Sequence, residues 1–240
     1  MQKKSDSDKS HRVRDMFGTI AHRYDFLNHF LSANVDRRWR RICVKEIRKR
    51  NVVPNPRILD LGCGTADLAI AFSSMGTVFG CDFCYPMLRI GSGKITGETY
   101  SDRVFLAGAD ALSLPFPDAS FDVVVSAFVL RNLADIESGF REARRVLRPG
   151  GLMAALDFGM PRTPVLAQLY RIYFQKILPK IGKVFSGVEG PYGYLPDSVR
   201  AFPPVEQLKE IAEVSGYRDI ECRLLTAGIA ILLIGKVSRD

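Results

Sequence analysis

Apolar residues near the beginning of the chain recur at a helical spacing. Between residues 11 and 50 they fall three or four positions apart, which is typical of helices that bury one face; the first are Val13, Phe17, Ile20 and Tyr24. Ser32-Ala33-Asn34 interrupts this pattern. A second helix is predicted from Asp36 to Arg50, with Trp39, Ile42, Cys43 and Ile47 on one face and arginines on the other.

Short apolar runs alternate with helical stretches through the middle of the chain. The predicted strands are Arg57–Leu61, Thr77–Cys81, Val104–Ala107, Phe121–Ala127 and Leu152–Phe158. Helices are predicted between them at Ala66–Ser74, Pro86–Lys94 and Asp135–Leu147, the last stopped by Pro149-Gly150-Gly151. This alternation indicates βαβ units, which predict a parallel sheet with helices on both faces.

The pattern changes again after Pro161. Aromatic-rich residues Val165–Lys176 predict a long helix, residues 178–204 read as loop, and Val205–Ser215 predict another helix. Two final strands, Arg218–Leu225 and Gly228–Lys236, are predicted to form an antiparallel hairpin through Thr226-Ala227. We therefore expect an α/β fold with seven strands. Its segments are a helical cap (1–52), a core (53–160), a lid insertion (161–204) and a C-terminal completion of the core (205–240).

Composition narrows the class of protein. The 240 residues are 47% hydrophobic and 25% charged, as in ordinary globular proteins. The longest nearly uncharged apolar run, Leu224–Gly235, is shorter than the roughly 20 residues that span a bilayer. The first ten residues contain no apolar signal-peptide core, so a cytoplasmic location is expected.

The five cysteines do not indicate a metal or disulfide site. Cys81-Asp82-Phe83-Cys84 has the C-x-x-C spacing, but no second such pair is present and no histidine follows His29. An odd number of cysteines without an export signal suits a reducing compartment. We therefore expect no metal.

Positive charge is concentrated at the beginning of the chain. The net charge is +8, and residues 1–50 carry all of it, with 14 Lys+Arg against 6 Asp+Glu, while the remaining residues carry 20 of each. A membrane surface, a nucleic acid or another anionic ligand would suit such a segment, and so would a solvated helix face.

A glycine loop follows the first predicted strand. Leu59-Asp60-Leu61-Gly62-Cys63-Gly64-Thr65 lets backbone approach a ligand at the carboxyl edge of the sheet. Asp67 stands where a dinucleotide-binding loop has its third glycine, and no Gly-Lys-Ser/Thr of a phosphate loop follows. Asp60, just before the first glycine, would favour a cationic ligand.

This loop resembles motif I of the class I S-adenosylmethionine-dependent methyltransferases, with Ala66 in place of the usual third glycine. In that family an acid after the second strand binds both ribose hydroxyls and another lies beside the adenine; Asp82 and Asp110 match them. The resemblance implies a Rossmann-like fold and S-adenosylmethionine as cofactor. The implied binding residues are Asp60, Gly62, Gly64, Thr65, Asp82, Phe83, Asp110, Ala111 and Ala127.

Longer segments resemble one subfamily, the ubiquinone/menaquinone biosynthesis C-methyltransferases. They are Tyr24-Asp25-Phe26-Leu27-Asn28, Asp36-Arg37-Arg38-Trp39, Leu114-Pro115-Phe116-Pro117-Asp118, Leu130-Arg131-Asn132, Arg145 to Asp157-Phe158, Gly190 to Pro203 and Leu225 to Ile229. Together they extend from about Val13 to Lys236. Departures occur at Asp157 and Gly159, where the family often has Glu and Ser, and at Val129, where it has Gly, so a tighter floor of the site is expected.

The resemblance implies methylation of a ring carbon of a prenylated quinol, most directly demethylmenaquinol. Arg131 would lower the phenol pKa, Asn132 would bond a quinol oxygen, and Tyr24 would position a water or relay the proton. Each has an alternative: a surface salt bridge for Arg131, a helix cap for Asn132 and a core aromatic for Tyr24. His29 is an alternative base that the family match does not support.

The charge distribution and the family resemblance also predict the binding partners of the protein. The basic N-terminal helices, through Arg37, Arg38, Arg40, Arg41, Lys45 and Arg48, are expected to hold the protein against the inner membrane surface. The helix from Val165 would form a groove for an isoprenoid tail or pack in a homodimer. A nucleic-acid methyltransferase is a competing hypothesis, but the position after the fourth strand reads Ala127-Phe128-Val129-Leu130 rather than an N/D-P-P-Y/F motif. A cofactor-binding scaffold without activity is the third.

Overall fold

A computed structural model describes residues 12–22, 24–25, 29, 32, 34–173 and 191–238. Signature residues 26–28 and the predicted end of the lid helix after Tyr173 lie outside the described residues, as do residues 1–11 and 174–190.

Seven strands form one sheet. They are β1 Arg57–Leu61, β2 Thr77–Asp82, β3 Val104–Gly108, β4 Phe121–Ala127, β5 Leu147–Phe158, β6 Tyr217–Leu225 and β7 Ala230–Val237. Their order is β3-β2-β1-β4-β5-β7-β6, with β7 antiparallel to both neighbours and the pairs from β3 to β5 parallel. The mostly parallel α/β sheet with a C-terminal antiparallel pair is confirmed.

Helices cover both faces of this sheet. They are α1 (12–22), α2 Val35–Arg50, α3 Asp67–Phe72, α4 Tyr85–Ile95, α5 Ile136–Val146, α6 Pro164–Ile172, α7 Pro191–Ala201 and α8 Val205–Val214. Because successive strand residues point to opposite faces, β4 contributes to two cores. Val123 and Val125 pack in one with Trp39, and Val124 packs in the other with Phe140. Among the described residues, no helix combines the length and apolar character needed to cross a membrane.

The predicted loop at 178–204 is wrong in its second half, because Pro191–Ala201 is helical. Pro196 lies inside this helix, where proline removes a hydrogen bond and disfavours helix on local grounds. Burial compensates for it: Val199 packs against Tyr170 of α6, and both side chains are buried. Tertiary packing therefore overrides the local signal.

Two strand boundaries differ from the prediction by two residues or more. β5 begins at Leu147, directly after α5, and includes Pro149-Gly150-Gly151. A register shift between Phe121 and Val123 of β4 accommodates these residues, and Gly150 adopts a positive φ of 79° there. The last two strands are joined by a 3-10 turn, Thr226–Gly228, rather than by two residues, so β7 begins at Ala230 and not at Gly228.

Candidate active site

The glycine loop turns sharply from β1 toward α3. Gly62 and Gly64 have φ values of 68° and 53°, a region in which L side chains are strained. A Cβ on Gly62 would lie 2.6 Å from Cγ2 of Val129, so the prediction of a tighter floor at this position agrees with the structure. A Cβ on Gly64 would meet nothing within 4 Å. Gly64 therefore leaves open space into which a ligand can approach the backbone.

A cleft opens beside this loop at the carboxyl edge of the sheet. It encloses about 750 Å³, counting its open mouth. Of the candidate site residues, nine line it: Tyr24, Gly62, Gly64, Asp82, Phe83, Asp110, Ala111, Ala127 and Asn132. Asp60, Thr65 and Arg131 do not. The structure therefore brings most of the predicted site residues together at the cleft. The three exceptions have separate physical causes.

Asp82 is held in place by two backbone amides. Gly64 N–H donates to Oδ2 and Cys84 N–H donates to Oδ1, each at 2.8 Å. Burial raises the pKa of Asp82, and these amides oppose the shift. Each oxygen keeps a further lone pair, so the carboxylate is able to accept bonds from two vicinal hydroxyls. This pair of acceptor oxygens fits the ribose hydroxyls of S-adenosylmethionine.

Asp60 is buried beneath the loop instead of lining the cleft. It belongs to β1, and neither carboxyl oxygen has a hydrogen-bond partner within normal geometry. Burial raises its pKa to about 7, while the Arg40 charge and the Ala69 backbone amide oppose the shift. The alternation along β1 turns Asp60 toward the side of the sheet that carries Arg40. Its contact with a cofactor stays a prediction.

Thr65 is engaged elsewhere. Its hydroxyl donates to Oδ1 of Asp25 at 2.5 Å and accepts from the ammonium of Lys94 at 3.1 Å. Both partners come from outside the loop, one from the N-terminal segment and one from α4. The hydroxyl therefore ties elements together next to the cleft rather than facing into it.

Arg131 forms a buried ion pair with Asp157. Its Nη1 lies 2.7 Å from Oδ1 of Asp157, and its backbone N–H donates to Oδ2 at 3.3 Å. Arg131 is 8% exposed, so the surface salt bridge considered as its alternative is wrong. The expectation of a cation facing the quinol oxygen is also not met in this conformation, because Asp157 holds the guanidinium away from the cleft wall.

Asn132 connects the cleft to α7. Its Nδ2 donates to the backbone oxygen of Phe128 at 3.1 Å, and its Oδ1 accepts from the Tyr194 hydroxyl at 3.1 Å. The helix-cap alternative is wrong, because Asp135 caps α5 by accepting from Glu137 N–H at 3.0 Å. Both polar ends of the Asn132 amide are therefore occupied while α7 lies over the site.

Tyr24 and His29 differ in their position relative to the cleft. Tyr24 lines the cleft and packs edge-on against Phe17, with ring centroids 5.7 Å apart. His29 does not line the cleft; its Nδ1 lies 2.8 Å from Asp36 and its Nε2 lies 3.5 Å from Asp67. This geometry removes His29 from the candidates for a base in the cleft.

Several wall residues were missed by sequence reasoning. Phe128 is the most informative, because it has a positive φ of 64°, which is strained for an aromatic residue. Its ring packs against that of Phe158 at a tilt of 35°, with ring centroids 4.8 Å apart. The ring centroid also lies 5.3 Å from the guanidinium carbon of Arg40 and 5.9 Å from that of Arg131. Val13 and Phe17 also face the cleft, although their helical spacing is typical of ordinary core positions. Nothing local in the sequence distinguishes these three residues.

The cysteines near the loop are free thiols. Burial raises the pKa of Cys81 to about 12, which leaves little thiolate at neutral pH. Among the described residues, no cluster of three or more histidine, cysteine, aspartate or glutamate side chains is suited to a metal ion.

Comparison with known proteins decides the family. The model of the ubiE/COQ5 methyltransferase family matches residues 4–236. The chain belongs to this family. A ubiquinone/menaquinone biosynthesis C-methyltransferase UbiE from Geobacter sulfurreducens is 42% identical over 234 residues, 96% of this chain and 90% of that protein. A demethylmenaquinone methyltransferase from Thermus thermophilus is 44% identical over 223 residues, covering 92% and 99%.

Solved structures support the fold of this ubiE/COQ5 family member. An S-adenosylmethionine-dependent methyltransferase from Aquifex aeolicus aligns with a TM-score of 0.58 and 17% identity, covering 80% of this chain and 88% of that one. The [4+2]-cyclase SpnF aligns with a TM-score of 0.69 and 16% identity, covering 96% and 97%. Because the second protein is named for a different reaction, such likeness identifies the Rossmann-like methyltransferase fold and not the chemistry.

Proposed function

We propose that this chain transfers a methyl group from S-adenosylmethionine to a ring carbon of a prenylated quinol, converting demethylmenaquinol to menaquinol. The observation that carries the proposal is the similarity at 42–44% identity, along nearly the whole chain, to proteins named for this C-methylation. The Asp82 carboxylate, held by two amides beside the open space at Gly64, supports the cofactor part of the proposal.

The cleft wall offers two uncharged polar side chains to a quinol, although the Asn132 amide already has a partner at each end. Among the described wall residues, Tyr24 and Asn132 are polar and are not carboxylates or thiols. When bound, S-adenosylmethionine supplies an electrophilic methyl group. An aromatic carbon becomes a good nucleophile only once the adjacent hydroxyl loses its proton. Tyr24 would position a water or relay that proton, and the second N–H of the Asn132 amide would bond the quinol oxygen.

Arg131 would contribute charge next to Asn132. Its bond to Asp157 has to be exchanged, at least in part, for a phenolate oxygen if the guanidinium is to lower the phenol pKa directly. The rings of Phe128 and Phe158, 5.9 and 5.0 Å from the guanidinium carbon, keep water away from this charge. In such surroundings an ionic interaction is stronger than in water.

Two surfaces support a proposed attachment to anionic lipid on the inner face of the membrane. Arg37, Arg38, Arg41, Lys45 and Arg48 are exposed on α2, whereas both acids of this helix, Asp36 and Glu46, are buried. Arg40 has to be removed from the predicted set, because it is buried and paired with Asp36. On α6, Val165, Leu169 and Ile172 are exposed, opposite the buried Ala167 and Tyr170.

The exposed apolar side chains of α6, Val165, Leu169 and Ile172, have a second proposed role. The same apolar side chains would pack between two copies of the chain in a homodimer. Sedimentation of the purified protein with and without detergent separates the two roles, because a dimer through these side chains would dissociate in detergent.

The test of the proposed function uses the purified protein with labelled S-adenosylmethionine. We expect label in a short-tailed naphthoquinol that lacks the ring methyl, and a deletion strain that accumulates the corresponding demethylated quinone. A matched benzoquinol in the same assay tests whether both ring types are substrates. The proposal would be refuted if the labelled methyl group were transferred to nucleic acid instead, or if the quinone profile of the deletion strain were unchanged.

A further inference from the structure

The ammonium of Lys94 joins three elements at one side of the cofactor cleft. It lies 2.6 Å from Oδ2 of Asp25, 2.7 Å from Oδ1 of Asp67 and 3.1 Å from the hydroxyl of Thr65. All three donor positions of the ammonium are thereby matched to oxygen acceptors. Lys94 belongs to α4, Thr65 and Asp67 continue from the glycine loop, and Asp25 belongs to the N-terminal segment.

The network continues to α2 through Asp67. Its Oδ2 lies 3.5 Å from Nε2 of His29 and 3.9 Å from Nη2 of Arg40. His29 and Arg40 both contact Asp36, whose other oxygen accepts from the Ser32 hydroxyl at 2.7 Å. Most of these side chains are largely buried, so salt screens their interactions less than it screens surface pairs.

The N-terminal segment held in this way carries part of the cleft wall. Val13, Phe17 and Tyr24 face the cleft from this segment, and Tyr24 directly precedes Asp25 in the chain. Neither Asp25 nor Lys94 lines the cleft. Any influence of Lys94 on the cofactor must therefore pass through the elements that it joins.

We propose that Lys94 is a positioning residue for cofactor binding. By joining Asp25 to Thr65 and Asp67, it fixes the N-terminal wall, including Tyr24, against the loop that carries Gly62 and Gly64. Without the ammonium, the carboxylates of Asp25 and Asp67 face each other, since one oxygen of each lies within 2.7 Å of the same nitrogen. Their repulsion would push the wall away from the loop.

This inference rests on the cofactor part of the proposed function and not on the quinol. The test therefore measures binding of S-adenosylhomocysteine by calorimetry, together with KM for S-adenosylmethionine and kcat. We expect Lys94→Met to weaken S-adenosylhomocysteine binding and to raise KM by about tenfold or more, a larger effect than its effect on kcat at saturating cofactor. Lys94→Arg, which keeps the charge, should restore most of the affinity.

A matched control is Lys49→Met. Lys49 also forms an ion pair in the N-terminal part of the chain, at 3.1 Å from Glu46, but it is exposed and its partner lies outside the cleft wall. This variant should bind S-adenosylhomocysteine as the wild type does. Equal affinities of Lys94→Met and Lys49→Met would overturn the proposal.

The sign of the Asp25→Asn effect separates positioning from a general loss of folding. In the wild type, Asp25→Asn removes an ionic contact and should weaken binding. In the Lys94→Met background it removes one of the two facing carboxylates, so it should restore part of the affinity. If the two substitutions are simply additive, or if affinity falls only in step with the melting temperature, Lys94 does not position the wall through Asp25.

Discussion

Arg131 and Asp157 form an ion pair of 2.7 Å in the interior, although they lie 26 positions apart in the chain. Asp157 is 1% exposed and Arg131 is 8% exposed. The pair joins the 3-10 turn Leu130–Asn132 to the end of β5, and the guanidinium faces the rings of Phe128 and Phe158. A residue expected to act on substrate is therefore also a structural element of the fold.

The first prediction concerns the stability of this pair. Arg131→Ala leaves the Asp157 carboxylate buried without its charged partner, so the free energy of unfolding should fall by about 3–5 kcal/mol. Urea denaturation measures this change. Arg141→Ala is the control, because it breaks an exposed i,i+4 pair with Glu137 and should cost about 0.5 kcal/mol or less. Similar losses for both variants would contradict the assignment.

The same pair predicts a separation of catalysis from cofactor binding. Arg131→Lys keeps the positive charge and is expected to keep the fold. It loses the planar guanidinium, which presents several N–H donors in a fixed geometry. Its turnover of a quinol substrate should fall at least tenfold, while S-adenosylhomocysteine affinity stays near that of the wild type. Unchanged turnover would remove Arg131 from the reaction.

Asp82 should dominate recognition of the cofactor ribose. Asp82→Asn removes the charge and one acceptor oxygen, and a hydrogen bond to a charged group contributes about 1.5–3 kcal/mol. The Kd for S-adenosylhomocysteine should therefore rise about 10- to 100-fold by calorimetry. Asp102→Asn, at an exposed position outside the cleft, is the control and should leave Kd unchanged.

Asp60 predicts a particular pH dependence of stability. Its pKa is about 7 in the folded chain and near 4 when unfolded, so the folded state binds its proton more tightly. This group therefore stabilises the fold at low pH, and its contribution is lost as the pH rises from about 4 to about 7. Asp60→Asn, which stays neutral, should unfold less readily than the wild type at pH 8, and the difference should shrink or reverse at pH 5. Urea denaturation measures the difference in stability between Asp60→Asn and the wild type. If this difference is the same at pH 5 and at pH 8, the Asp60 carboxyl does not have the raised pKa of a buried group.

Gly62 and Val129 predict a steric coupling. Gly62→Ala places a methyl group 2.6 Å from Cγ2 of Val129 at a φ of 68°, which should destabilise the fold by about 2–4 kcal/mol. Adding Val129→Gly should restore the part of the lost stability that the clash causes. It should not restore the part that the strained backbone causes. Gly93→Ala is the control, because its Cβ would meet nothing within 4 Å in α4, and it should be neutral or stabilising.

The basic face of α2 predicts salt-dependent membrane binding. Each cation near an anionic surface contributes about 1 kcal/mol, so reversing Arg37, Arg41 and Lys45 to Glu should weaken binding to phosphatidylserine vesicles about a hundredfold or more. Activity on a short-tailed soluble quinol should stay intact. The control is reversal of three exposed arginines outside α2, which gives the same net charge: Arg103, Arg141 and Arg218. Equal binding by both triple variants would mean that α2 presents only a solvated face.

Much of the fold follows from local patterns in the sequence. The bounds of β1 and β4 agree with the apolar runs that predict them, and most other elements end within a few residues of their predicted bounds. Gly62, Gly64, Asp82 and Asp110 were also placed at one edge, since parallel strands bring their carboxyl ends together. These features depend on residues close in sequence, whose spacing and backbone preferences are visible there.

The tertiary structure alone decided which charges pair. Arg40 was expected on the surface and is buried, Arg131 was expected to face substrate and is bound to Asp157, and Lys94 had no predicted role at all. The helix Pro191–Ala201 likewise forms against a local proline signal because packing stabilises it. Arg131, Lys94 and the helix at 191–201 have their deciding partners far away in the chain. Arg40 pairs with the nearby Asp36, but the Phe128 ring that helps to bury it is distant. The free energy of burying a charge or an apolar face is therefore set by the tertiary surroundings rather than by the neighbouring sequence.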